Sequence, residues 1–243
     1  MARPPRNRPH FHLEGGGEAE PYTSPRIVIT GLPPARVRAQ HAEKLGRAIG
    51  TAVQQARQKL GIRDQAVAEG EKGFYLEFEI PAAERDAVEG LENKPAEIEL
   101  VAVRPAADNQ EMVSATVFVP ERSAEFFVKK IETYRDKNSK SGKPRNEALV
   151  ARIEDVRLGA VRSLFTDDMA FFPGAGRQAW WEVWVRDGRL ETLRHVAQRL
   201  NVALKEHTIS FPERDVVLAL ANEEAIARLV DHSDAVAELR IAQ

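Results

Sequence analysis

The chain has 243 residues, 35 basic and 37 acidic side chains for a net charge of −2, and 43% hydrophobic residues. This is room for two domains of about 100 residues each, and so balanced a charge gives no global field toward nucleic acid or an anionic membrane. With no cysteine there is no disulfide, thiolate zinc site or cysteine nucleophile, and no stretch approaches the roughly 20 apolar residues of a membrane helix.

In chain order, residues 1–26 are rich in Pro, Arg, Gly and Glu and lack a hydrophobic period, which predicts an extended arm. Its opening MARPPRNRPHFHLEGGG has no apolar run behind the basic residues, so it is no secretory signal, and a cytoplasmic location is expected. His10 and His12 have no third ligand nearby, and no metal or cofactor is expected. The arm instead offers Phe11, Leu13 and Tyr22 to a neighbouring surface. Residues 27–72 read as a short strand (IVITGL), a long amphipathic helix from Ala35 to Leu60 and a polar linker from Gly61 to Gly73. Val37, Leu45, Ile49, Val53, Ala56 and Leu60 form the helix stripe, and Gly46 and Gly50 could admit a close helix contact.

Residues 73–170 form a first unit. FYLEFEI alternates Phe74, Leu76, Phe78 and Ile80 against Tyr75, Glu77 and Glu79. A short helix (Ala82 to Leu91), strands over Ile98 to Val103 and Met112 to Val119, and a helix capped by Ser123 that stacks Phe127, Ile131 and Tyr134 follow. Leu149 to Leu158 has the period of a fourth strand, although IEDVRLGAVRSLF also reads as a helix. The basic loop Arg135 to Glu147, with Lys137, Lys140, Lys143 and Arg145, lacks an aromatic stacking platform and reads as a solvated loop.

Residues 178–243 give the clearest pattern. Trp181, Val183 and Val185 alternate with Trp180, Glu182 and Trp184 before an Asp187-Gly188 turn. Leu190, Leu193, Val196, Ala197 and Leu200 have helical spacing, and Asn201 is a stop. Thr208 to Phe211 and VVLALA are strands, Asn222 caps a helix buried through Ile226, Leu229 and Val230, and Ala237, Leu239 and Ile241 make the last strand. The predicted fold is α+β: two tandem ferredoxin-like βαββαβ units, each with two helices on one face of an antiparallel sheet.

No catalytic constellation emerges. The histidines read as surface residues, the acids as solvated, and Asp167-Asp168 lacks the rhythm of a calcium site. Parity places Trp180 and Trp184 together, either packed against the first unit, the favoured alternative, or exposed as a protein-binding patch. They are the candidate protein-interface residues; no catalytic, cofactor-binding or metal residue is assigned.

The segments RPHFHLEGGGEAEPYTSPR, GFYLEFE, ATVFVPERSAEFFVKKIETY, IEDVRLGAVRSLFTDD, WWEVWVR and FPERDVVLALA, in this order over nearly the whole chain, resemble the N-terminal region of bacterial subtilisin-like (S8 family) serine proteases. Those proteases are encoded beside an AAA-type ATPase and associated with anti-phage defence. The resemblance implies a subtilisin-prodomain-like fold, a catalytic domain in cis and an ATPase partner. The Asp-Thr-Gly or Asp-Ser-Gly, His-Gly and Gly-Thr-Ser settings of a subtilase triad are absent, so no catalytic residue carries over. The chain is expected to be a non-catalytic N-terminal part, either truncated or separated from the rest, that assists folding of, restrains or recruits a partner to the protease. The alternative is a ferredoxin-like module for nucleic acid or protein, with nucleic acid disfavoured because the central strands lack exposed aromatic and basic residues.

Overall fold

The computed structural model describes residues 33–106 and 109–242. The arm, the IVITGL strand, His10 and His12 lie outside the described residues. The first described element is the long helix α1 (Arg38–Gly61), whose apolar residues recur every three or four positions and put Leu45, Ile49, Val53 and Ala56 into the core. Val37 precedes the helix and is 65% exposed, so it leaves the expected stripe. Among the described residues nothing lies within 4 Å of where a Cβ would stand at Gly46 or Gly50, and no close helix contact forms there.

The chain then builds a four-stranded antiparallel sheet from β1 (Gly73–Pro81), β2 (Glu99–Ala106), β3 (Asn109–Pro120) and β4 (Asp155–Leu158), in the order β2-β3-β1-β4. Phe74, Leu76, Phe78 and Ile80 meet Val117 and Val119 on one face, covered by α1 and by α2 (Phe126–Asp136) through Phe127, Ile131 and Tyr134. Two elements differ from expectation. Ala82–Leu91 is a 3₁₀ stretch broken at Glu84, so α1 supplies much of the cover expected of that segment. Ser123 caps nothing: α2 starts at Phe126, and the Ser123 hydroxyl donates to the Ala96 carbonyl at 2.8 Å.

The fourth strand is shorter than its period suggests. Asn146 enters the left-handed region at φ 60°, and a helical turn α3 (Glu147–Val150) follows. Arg152 is buried there, bonded to Glu84 at 2.5 Å and to the Ala148 carbonyl at 2.6 Å. Only Asp155–Leu158 pairs with β1, and the chain turns at Gly159 into the helical turn α4 (Val161–Leu164). Both readings of IEDVRLGAVRSLF are therefore partly realised.

The second sheet comprises β5 (Ala179–Arg186), β6 (Ala203–Ser210), β7 (Arg214–Ala221) and β8 (Val236–Ile241), again antiparallel, in the order β6-β7-β5-β8. Helices α5 (Leu190–Arg199) and α6 (Glu223–His232) cover one face. Trp181, Val183 and Val185 interlock there with Leu193, Val196, Ile226 and Leu229, and the Trp181 indole donates to the Ala221 carbonyl at 3.0 Å. Asn222 caps α6 by accepting from the Ala225 amide at 2.9 Å. Asn201 turns the chain beyond α5 at φ 56°. Strand β6 begins at Ala203, earlier than expected, because this edge is mostly exposed and bulged between Leu204 and Thr208, which erases the alternation.

The two lobes share a polar seam. The Tyr75 hydroxyl donates to the Val236 carbonyl at 2.6 Å, and Arg186 reaches Glu99 of β2 at 2.7 Å while its guanidinium lies over the Phe118 ring. Phe165 bridges to Leu239, and the Thr166 amide donates to the Leu239 carbonyl at 3.1 Å. The segment expected to be a polar linker is instead a strap docked on the second lobe. The Glu69 amide donates to the His232 carbonyl at 3.1 Å, and its carboxylate pairs with His195 at 2.9 Å and Arg199 at 3.0 Å. Gly70 is a glycine of necessity: at φ 87°, a Cβ would lie 2.0 Å from an Asp234 carboxylate oxygen.

Candidate interaction surface

Each sheet has a face free of its long helices, and the two faces are used differently. On the first sheet this face carries Tyr75, Glu77, Arg104, Thr116 and Phe118, all buried under α4 and the second lobe. A buried charge must be paired, and Glu77 is. Its Oε1 accepts from Arg104 at 2.9 Å and from Arg157 at 3.0 Å, and its Oε2 accepts from the Ser163 hydroxyl at 2.5 Å. Burial pushes the carboxyl up, but the Ser163 hydroxyl and the Arg157 guanidinium outweigh it and hold Glu77 below the usual carboxylate range. Ser163 also accepts from the Ala160 amide at 3.0 Å, so the network fixes α4 on the sheet.

Asp234, fully buried beside the strap, goes the other way. Its Oδ2 lies 3.1 Å from Arg189 and 3.9 Å from Arg186, yet burial outweighs both cations and raises its pKa. The expectation that the acids are solvated fails for Glu77 and Asp234, because each is covered by an element distant in sequence.

The second sheet's helix-free face is built by cross-strand rows. Trp180 stands opposite Leu220, Glu182 opposite Leu218 and Arg240, and Trp184 opposite Val216 and Glu238. Trp180 and Trp184 are half-buried. Among the described residues their ring partners come from their own lobe: Phe211 stacks on Trp184 at 5.5 Å with 11° between planes, Arg240 lies over Trp184 at 4.6 Å, and Lys205 lies over Trp180 at 4.7 Å. The ring contacts of the pair are thus made within the second lobe. Ile209 and Phe211, at 64% and 50% exposure, extend the apolar surface. Among the described residues the buried Trp184 indole N–H has no acceptor.

No protein-family model and no curated protein matches the chain.

The remaining sequence candidates have structural partners. His41, expected at the surface, is buried and donates to the Val150 carbonyl at 3.0 Å, and burial lowers its pKa. His195 pairs with Glu69, His232 accepts from the Asp64 amide at 3.4 Å, and His207 is exposed. Asp168 caps a turn through the Ala170 amide, and Asp167 accepts from the Ile241 amide at 2.8 Å. Among the described residues no group of three His, Asp or Glu could hold a metal ion. Of the loop expected from Arg135 to Glu147, Arg135 and Asp136 end α2 and Glu147 opens α3; between them lies a mostly exposed turn, with the Ser139 amide bonded to the Lys143 carbonyl at 2.7 Å.

What the sequence reading missed is the extent of the surface. Ile209 and Phe211 join it from a bulged edge and a hairpin tip, where periodicity is silent. Phe211 does follow the strand in which it was expected, and with Pro212-Glu213 next to it, an aromatic residue at a turn was the available signal.

Proposed function

We propose that the chain is a non-catalytic, prodomain-like regulatory region of a subtilisin-like serine protease, with two ferredoxin-like units. The second unit docks its helix-free face on a catalytic domain carried outside the residues seen here. The reading is supported by the sheet orders β2-β3-β1-β4 and β6-β7-β5-β8, with connections on one face of each sheet, which fit the split βαββαβ pattern. The observation that carries it is the aromatic face of the second sheet, where Trp180 and Trp184 are half-buried, Ile209 and Phe211 are exposed, and the ring partners of the two tryptophans among the described residues come from the same lobe. Tryptophan is enriched at the centres of protein interfaces, and the charged Lys205, Arg240, Glu182 and Glu238 interspersed among the apolar residues would set orientation.

Main-chain pairing along the outer edge of β8 is limited, because Phe165, Thr166 and Asp167 already engage Leu239 and Ile241. Residues following Ile241 are the ones that would enter a substrate cleft. On this reading an AAA-type ATPase meets the first lobe, the setting is cytoplasmic and anti-phage, and the chain performs no catalysis itself. The test is addition of the chain in trans to its cognate catalytic domain. Hydrolysis of a peptide substrate slows in proportion to occupancy; full activity at saturating chain removes the restraining role, and failure of the two to co-elute removes the docking itself.

A further inference from the structure

The seam between the lobes contains a cavity of about 210 Å³ that the regulatory reading does not use. Leu60 from the last turn of α1, Phe74 from β1, Leu158 from β4 and Val230 from α6 give it apolar walls. At interior packing density this space takes a body of about ten non-hydrogen atoms. The charged groups at its boundary are Lys59, Arg63 and Asp231, with Tyr75 and His232 beside them. Asp231 is already engaged by Lys59 at 3.5 Å, and His232 has both ring nitrogens occupied, by the Arg228 carbonyl and the Asp64 amide.

Arg63 is the exception. Its side chain is nine-tenths buried, yet among the described residues it forms no ion pair. Among those residues its one hydrogen bond runs from Nη2 to the Glu69 carbonyl at 3.3 Å, and its Nε has no acceptor. A guanidinium carries five N–H donors in a planar fork suited to a carboxylate, so most of its capacity is unspent. A buried cation left this way is costly unless an anion visits it.

We infer that the seam cavity binds a free small carboxylate with a compact apolar body, its ring or short chain against Leu60, Phe74 and Val230 and its carboxylate on Arg63. Such a ligand touches α1, the strap and α6 together, so occupancy ties one lobe to the other and stabilises the folded chain by mass action. The site is separate from the aromatic face of the second sheet.

Benzoate serves as the probe and benzamide as its neutral counterpart, with leucine and valine methyl shifts followed by NMR on the whole chain. Benzoate shifts the Leu60 and Val230 methyls saturably and raises the unfolding temperature, and Arg63→Gln weakens its apparent affinity about tenfold or more, as loss of a charged hydrogen bond implies. Leu60→Trp, which fills the cavity, abolishes the shifts while its far-ultraviolet circular dichroism stays that of the parent. Equal response to benzamide and benzoate, equal affinity in Arg63→Gln, or shifts confined to residues around Trp184 would overturn the assignment.

Discussion

The two sheets have the same strand order and opposite surfaces. The helix-free face of the first carries the buried Glu77 and Arg104 with a serine and a threonine, beside Tyr75 and Phe118 and with Arg157 at its exposed margin; that of the second carries tryptophan, leucine, valine and isoleucine around Glu182, Glu238 and Arg240, with Trp180 and Trp184 half-buried and Ile209 and Phe211 exposed among the described residues. Transfer energetics alone would favour the reverse, since burying apolar area is favourable and burying charge is costly. The difference teaches that the first face is finished within the chain, every charge having a partner, while the second keeps its apolar area for something else. Large apolar patches on a soluble surface mark interaction sites.

The comparison is broken most severely on the finished side. Glu77→Ala leaves Arg104 buried and unpaired and should cost about 3–5 kcal/mol in urea unfolding, the usual penalty for removing one partner of a buried pair. A loss comparable to that of an ordinary surface substitution would mean that the network is solvated. Gly70→Ala, which forces a Cβ toward Asp234 in a left-handed conformation, should lower stability by about 1–3 kcal/mol, read from the same transition. Asn222→Ala removes one helix cap and should cost about 1 kcal/mol. On the unfinished side, Trp184→Ala should have the smallest effect, under about 1 kcal/mol. Trp181→Ala, four-square in the core of the same strand, provides the internal contrast at about 3–5 kcal/mol.

The two buried carboxylates sharpen the comparison by pH. Glu77 titrates below its ordinary value of 4.5 in the folded chain, so its contribution is present above that value and is lost as pH falls through the depressed one. Asp234 titrates above its ordinary 3.8, so it opposes folding at neutral pH and that opposition is relieved as pH falls through the raised value. Stability followed by chemical denaturation should therefore decline more steeply in acid for Asp234→Asn than for the parent, and less steeply for Glu77→Gln.

The second lobe was the more legible in the sequence, except at the bulged edge strand β6, because its other strands and its helices keep one period each and its ends are marked by Asp187-Gly188, Asn201 and Asn222. The first lobe was legible where Phe74 to Ile80 alternate and where Phe127, Ile131 and Tyr134 recur. It was not legible at Ala82–Leu91, where helical composition yields a 3₁₀ path, or at Leu149 to Glu154, where a period of two coincides with a helical turn over buried Arg152. Trp180 and Trp184 were placed on one face by parity, but parity cannot say what covers a face. The same gap hid the burial of Glu77 and Asp234, whose neighbours come from far along the chain.

The most direct measurement is calorimetric titration of the cognate catalytic domain with the parent chain and with a Trp180→Ala, Trp184→Ala double variant of unchanged secondary structure. Docking through the second sheet predicts saturable binding by the parent and a loss of at least about 100-fold in affinity for the variant, on the scale of two interface hot spots. Equal affinity for the two chains would contradict it.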